Sequence, residues 1–380
     1  MGRDGKPFRF YDNRQKYLSF ITTCNEKWKI AERAIAEVGH VKPTPPALRI
    51  YDAGMGDGTL LSHVMRATHK SFPTIPLFVV GKEISLEDIR MSLDKLPDRF
   101  VEHPATVVIF TNLKYTESPW LTVEGKDRLN WLDVPLRNNT AADFGEQLRA
   151  LDPQLVDGWK VRASEKTGNP LYEKPSVLVL YREDHAFALD DIRPRPGDGR
   201  ADYDLILVSQ PWRARMDAEF KVKRVLEPMC RALAPGGRAV IAQSSGNDPG
   251  LELIRRIWPG EDPFKVNRHE LLDVLRRQLK GDVAEYDFRA ISDSEAIISY
   301  EMHTLPDEIQ SNIGTSTLFA AWNAAVYVAQ IEDERLEPAM ATPIYLDATE
   351  QVLQKYGGLW FNDEVFTVVR RIGKKGVRPI

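Results

Sequence analysis

Apolar and polar residues alternate along this chain with two different periods, and the change from one to the other lays out most of its elements. From about Asn13 to Val38 the apolar positions Tyr17, Phe20, Ile21, Trp28, Ile30 and Ala31 recur at helical spacing. The Pro-rich stretch "VKPTPPALR" ends that helix and leads into an apolar run. Leu48 to Asp52 then reads as a strand, and Thr59 to about His69 as a helix with Leu60, Leu61, Val64 and Met65 inward. "LFVVGKE" is a second strand, Leu86 to Leu96 a helix and "ATVVIFTN" a third strand. Short runs that are apolar throughout, separated by helices, predict a mostly parallel sheet covered on both faces.

The rhythm stops between Lys114 and Ala201, a stretch rich in Trp, Pro and charge. Its "SVLVLYREDHAFALDDIRP" predicts a hairpin, and so long an interval is an inserted lid or substrate subdomain rather than a bare loop. Trp120, Trp131 and Trp159 either pack the insert's own core or line a pocket. The α/β rhythm resumes with "YDLILVSQPW" as strand four and "APGGRAVIAQSSG" as turn and strand five. "DVAEYDFRAIS" and "EAIISYEMH" then predict an antiparallel hairpin, since their joint is too short for a parallel crossover. Helices near Thr315–Ile331 and Leu346–Lys355 and a strand "NDEVFTVVRR" close the chain. The expected domains are an N-terminal helical segment or cap (1–47), a core (48–113 and 201–303), the insert (114–200) and a C-terminal extension (304–380).

Composition narrows the class. The 380 residues are 43% hydrophobic and 28% charged, with a net charge of −4, an ordinary globular balance. A dedicated nucleic-acid binder is more often basic, so the balance favours a small or neutral substrate. Cys24 and Cys230 form neither a disulfide framework nor a metal-ligand spacing, and no metal is expected. The first residues lack the apolar stretch of a signal peptide, and Lys6 breaks the myristoylation pattern. No window approaches about 18 uninterrupted apolar residues. The expectation is a cytoplasmic protein with no membrane partner.

The chemistry concentrates in "IYDAGMGDGTLL", where Gly54, Gly56 and Gly58 fall at alternate positions after strand one. Glycine permits positive φ and close backbone approach, which either a nucleotide-type cofactor or a merely tight turn requires. The dinucleotide fingerprint wants G-x-G-x-x-G facing a pyrophosphate. Here Asp57 occupies the turn, which disfavours a pyrophosphate and suits a cationic ligand. Glu83 ends strand two, where a carboxylate either accepts ribose hydroxyls or caps the next helix. Asn112 ends strand three, to meet an adenine edge or to form a turn.

Taken together these residues resemble the class I S-adenosylmethionine-dependent methyltransferases. The likeness rests on "DAGMGDGT", Glu83, "YDLILVSQPW" and "LAPGGRAVIA", and covers about Leu48 to His303. It implies a Rossmann-like, mostly parallel seven-stranded α/β sheet with an antiparallel last strand, helices on both faces and an insert after strand three. It implies S-adenosyl-L-methionine as cofactor, with Asp52, Gly54, Gly56, Asp57, Gly58 and Thr59 around the methionine part. Glu83 would hold the ribose and Asn112 would meet the adenine, with Ile84, Leu113 and Ser209 completing the cofactor site. Asn112 stands where the family often has Asp.

Strand four ends in Ser209-Gln210-Pro211-Trp212, similar to the (Asp/Asn/Ser)-Pro-Pro-(Tyr/Phe/Trp) signature of methyltransferases acting on amino nitrogens. That likeness casts Ser209, Pro211 and Trp212 as catalytic, with Gln210 in place of the first proline making the turn less rigid. Trp212 alternatively caps the sheet edge. Tyr11, Arg14 and Tyr17 head the N-terminal helix and, with Trp212, are the candidate substrate contacts. His63 and His303 read as structural, so no His-centred base for an oxygen acceptor is expected. The expected reaction is N-methylation of a small nitrogenous metabolite. An RNA, DNA or protein acceptor, a binding protein without catalysis, and a homo-oligomer all stay open.

Overall fold

The structure, a computed structural model, describes residues 14–125, 128–163, 170–197, 199–304, 309 and 313–373. Twelve strands are described: β1 (Leu48–Asp52), β2 (Leu77–Lys82), β3 (Thr106–Thr111), β4 (Asn130–Leu136), β5 (Val161–Ala163), β6 (Pro170–Tyr172), β7 (Ser176–Arg182), β8 (Tyr203–Ser209), β9 (Leu233–Ser244), β10 (Tyr286–Phe288), β11 (Ile297–Glu301) and β12 (Trp360–Arg370). Among the described residues ten of them form one sheet in the order β10-β12-β9-β8-β1-β2-β3-β7-β4, with β11 also on β12. β3, β2, β1, β8 and β9 run parallel at its centre. Every residue of β1, β2, β3 and β8 is buried, because helices cover both faces.

The N-terminal segment makes two helices, α1 (Arg14–Thr23) and α2 (Glu26–Val38), not one. Cys24 pairs as a bridge with Met302, and the Asn25 side chain accepts the Glu301 N–H, so the backbone leaves the helix at that point. α2 and α3 (Thr59–Ser71) pack on one face through Ile30, Ala34, Leu61 and Val64. The other face is covered by the segment around Val222–Met229 and by the helix Arg268–Leu279. A third apolar cluster joins α1, through Phe20, to Trp322 and Val352 of the C-terminal helices. Among the described residues no helix is long and apolar enough to cross a membrane.

Two expectations change. β10 and β11 do not pair with each other; both lie antiparallel on β12. β12 has 11 residues, so its edge accommodates one short strand at each end, and a helical turn at Asp293–Ala296 separates the two. The strand within the insert likewise finds its partner outside. β7 is buried at all seven positions and pairs antiparallel with β3, extending the main sheet, while β4 lies parallel beside it. A strand apolar on both faces needs cover on both, which only a layered sheet provides. The sheet therefore exceeds the expected seven strands.

The chain runs β1→β2→β3 to one side and then returns through β8→β9 on the other. The order reverses between β1 and β8, which opens a crevice beyond their carboxyl ends, where ligands bind in open α/β sheets.

Candidate active site

The glycine turn builds one wall of that crevice. Gly56 has φ +57° and Gly58 φ +76°, both in the left-handed region, and Gly58 caps the start of α3. The Gly54 N–H donates to Asp52 Oδ1 at 3.2 Å, which pins the turn to the end of β1. Glu83 then ties the glycine turn to the backbone that follows β2 through three N–H groups. Its Oε2 accepts the Gly56 N–H at 2.8 Å, and its Oε1 accepts those of Ile84 at 2.6 Å and Ser85 at 2.8 Å. Ser85 in turn caps the helix α4 (Leu86–Leu93).

A cavity of about 380 Å³ lies over this turn. Gly54, Gly56, Glu83 and Ile84 line one side, and Ser209, Gln210 and Pro211 another. Arg14, Tyr17 and Phe20 of α1 lie across it with Glu26 and Lys27 of α2. The Tyr17 hydroxyl accepts the Asp57 N–H at 3.0 Å, so α1 rests directly on the glycine turn.

The cavity thus gathers Gly54, Gly56, Glu83, Ile84, Ser209, Pro211, Arg14 and Tyr17 from the expected set. Asp52 and Gly58 lie behind it, buried under the turn. Tyr11 lies outside the described residues. Asp57 turns away: it pairs with Lys95 at 3.2 Å and accepts from Thr59, so the cavity's charge comes from elsewhere. Asn112 is not at the cavity surface either. Its amide donates to the carbonyls of Gly158 and Lys174, and its Oδ1 accepts the Ser176 N–H, which spends the side chain on holding the insert. Leu113 is buried in the core cluster beside it. Trp212 is buried in that cluster too, with the Lys221 ammonium 5.7 Å from its ring centroid, and does not line the cavity.

Gln210 departs furthest from expectation. Its φ is +49°, which a proline ring, locked near −65°, cannot adopt. The elbow after β8 is therefore a different conformation from the two-proline turn it resembles in sequence. Nor is it loose: Gln210 Nε2 donates to Glu26 at 2.7 Å and Asp363 at 3.0 Å, and its Oε1 accepts from Ser244 at 3.0 Å. The insert braces the opposite wall, since Trp159 Nε1 donates to the Glu83 carbonyl at 2.9 Å and the Tyr172 hydroxyl to that of Ile84 at 2.5 Å.

The site is acidic. Four lining carboxylates (Glu26, Glu83, Glu87 and Asp88) face three lining cations (Arg14, Lys27 and Lys82). Asp52 and Asp363 add two more carboxylates, hydrogen-bonded to lining residues. Burial pushes the Asp52 carboxyl up to about 7, against the pull of the Gly54 N–H and of Lys27. Burial and then the Glu83 charge push Asp88 up to about 7 as well, opposed by Arg14. Burial and the neighbouring Glu26 raise Asp363 well above its usual range. Burial works against the Lys27 charge, but Glu26 outweighs it and the ammonium is held above its ordinary value. Asp52 Oδ2 and Ser209 Oγ are buried and have no hydrogen-bond partner among the described residues.

A pH dependence follows for Asp52. Its folded pKa, about 7, exceeds the unfolded 3.8, so the stability linked to it is present below 3.8 and is lost as pH rises through about 7. Asp52→Asn removes that dependence. Urea titrations at pH 5.5 and 8 are expected to show the wild type losing more stability over the interval than the variant, by about 2 kcal/mol. An equal loss in both proteins would remove Asp52 from this role.

Neither a family model nor a curated protein matches this chain. Solved structures do. A candidate sarcosine dimethylglycine methyltransferase from Galdieria sulphuraria is 8% identical over 90% of this chain and 84% of its own, with a TM-score of 0.37. Geranyl diphosphate methyltransferase with GPP and sinefungin is 12% identical over 89% and 78%, with a TM-score of 0.32. A SAM-dependent methyltransferase from Archaeoglobus fulgidus is 10% identical over 91% and 95%, with a TM-score of 0.30. All three are named as methyltransferases.

Proposed function

We propose that this chain is an S-adenosylmethionine-dependent methyltransferase acting on a nitrogen of a small molecule. The observation that carries the reading is the pairing of a left-handed glycine turn with a carboxylate-rich cavity at the β1/β8 switch point. At an effective dielectric of 20, two like charges about 4 Å apart repel by roughly 4 kcal/mol, so a pyrophosphate is poorly served beside Glu83 at the glycine turn. A ligand with a cationic centre is served well.

The residues fit such a cofactor on three counts. Gly54 and Gly56 present only backbone to the cavity, and a Cβ at Gly56 would meet the Tyr17 hydroxyl at 2.5 Å. Ser209 Oγ, at the cavity wall, is a buried hydroxyl without a hydrogen-bond partner among the described residues, suited to a polar group of a ligand. Glu83, a carboxylate at the cavity surface, can accept ribose hydroxyls in addition to its backbone N–H groups. When bound, S-adenosylmethionine supplies a methyl group on a sulfonium that is already activated for transfer.

The chain's own part is then to bind, orient and exclude water. Gly54 and Gly56 allow close backbone approach, Glu83 holds the ribose and Ile84 packs on the base. The same Ser209 Oγ is the candidate hydrogen-bond group for the acceptor nitrogen. Tyr17, Phe20 and Tyr327 surround the cavity with aromatic surface. The cover of α1 and α2 favours a small acceptor over a macromolecular one.

Calorimetry tests the reading. S-adenosylmethionine and S-adenosylhomocysteine are expected to bind with a 1:1 stoichiometry, and NADH not to bind. Tight binding of NADH with none of either adenosyl compound would sink it.

A further inference from the structure

The cations of the cavity differ in one respect. Arg14 pairs with Asp88 at 2.6 Å and Lys27 with Glu26 at 2.8 Å. Lys82 is only 4% exposed and makes no salt bridge among the described residues. Its ammonium lies over the Tyr115 ring, whose centroid is 4.4 Å from Nζ. The carboxylate next in sequence, Glu83, spends its hydrogen bonds on three backbone N–H groups. Buried ammonium groups are almost always paired, because desolvation penalises an isolated charge. Burial lowers the Lys82 pKa to about 8, with Glu83 opposing.

We propose that Lys82 anchors an oxyanion of the methyl acceptor, so that the acceptor is an amine that also carries a carboxylate or phosphate group. The inference rests on the methyltransferase reading and adds the substrate class to it. Strand geometry separates the two neighbours. Side chains alternate along β2, so Phe78, Val80 and Lys82 leave one face while Val79, Gly81 and Glu83 leave the other. Phe78 and Val80 belong to the cluster that contains Trp212 and packs Tyr115, whereas Val79 belongs to the one containing Met55 of the glycine turn. The Tyr115 hydroxyl donates to the Pro211 carbonyl at 3.2 Å. Lys82 therefore sits on the side of the elbow after β8, and Glu83 on the side of the glycine turn. The acidic groups Glu26 and Asp363 meet at Gln210 on that same elbow. A zwitterion finds a partner for its anion at Lys82 and for its ammonium at Glu26, the member of that pair that lines the cavity.

The experiment uses acetate and inorganic phosphate as probes, titrated into protein loaded with S-adenosylhomocysteine, with thermal unfolding as readout. Wild type is expected to show saturable protection, weakened at least tenfold in Lys82→Met and retained in Lys82→Arg. Lys82→Met is expected to melt no lower than wild type without ligand, since it removes an unpaired buried charge. Its affinities for S-adenosylhomocysteine and for 5′-methylthioadenosine are expected to stay within twofold of wild type. Equal anion responses in wild type and Lys82→Met would overturn the proposal. So would a tenfold loss of S-adenosylhomocysteine with 5′-methylthioadenosine spared, because that compound lacks the carboxylate and the anion would then be the cofactor's own. Failure of wild type to bind S-adenosylhomocysteine would instead remove the methyltransferase reading. The anion titration of unloaded protein would still report on Lys82.

Discussion

Gly56→Val is expected to lower S-adenosylhomocysteine affinity at least about 100-fold while circular dichroism and the cooperative melt survive. Two effects act together. Gly56 has φ +57°, a region that costs a residue with a Cβ about 1–2 kcal/mol and a β-branched one more. The new Cβ would also lie 2.5 Å from the Tyr17 hydroxyl, so α1 has to shift off the turn. Relaxing φ would swing the Gly56 N–H away from Glu83 and open the cradle where the methionine part is proposed to lie. Gly56→Ala in a Tyr17→Phe background separates the two, because it keeps the backbone strain and removes the oxygen that is struck. Undiminished affinity in Gly56→Val would end the assignment of this turn to the cofactor.

Glu83 is expected to show the second-largest effect, and its two obvious variants to behave differently. Glu83→Ala orphans the N–H groups of Gly56, Ile84 and Ser85, each at a cost of about 1–3 kcal/mol where water cannot reach. A lowered melting temperature and loss of binding are both expected. Glu83→Gln keeps an acceptor for Ile84 and Ser85 but can turn an NH₂ toward the Gly56 N–H. The fold should then hold while S-adenosylhomocysteine affinity falls about 50-fold, roughly 2.3 kcal/mol. An analogue lacking both ribose hydroxyls is expected to lose far less. If calorimetry shows the same loss for both ligands, Glu83 shapes the wall without touching the ribose.

The central sheet was legible because its cause is local. β1, β2, β3 and β8 are short runs buried on both faces, and no partner needs to be known to recognise them. The glycine turn and Glu83 were legible for a similar reason: each sits at a strand's end, where its backbone requirement is written in its own residue type. The roles of Asp57, Asn112 and Trp212 were not. Which way a side chain leaves the strand's end depends on what waits there. Lys95 claimed Asp57, the insert claimed Asn112, and the core under β8 claimed Trp212.

By itself, then, the sequence determined the buried central strands β1, β2, β3 and β8, the glycine turn after β1 and the carboxylate after β2. These follow from periodicity and from glycine's freedom at positive φ. Only the tertiary structure decided that the insert's β7 extends the sheet, that β10 and β11 share β12, and that Gln210 is clasped between Glu26 and Asp363. It also decided that Lys82 lines the cavity with no anionic partner among the described residues. Glu26 and Asp363 reach Gln210 across 184 and 153 positions of chain. Contacts so distant have no local pattern, because each partner satisfies its own helix or strand preference without reference to the other.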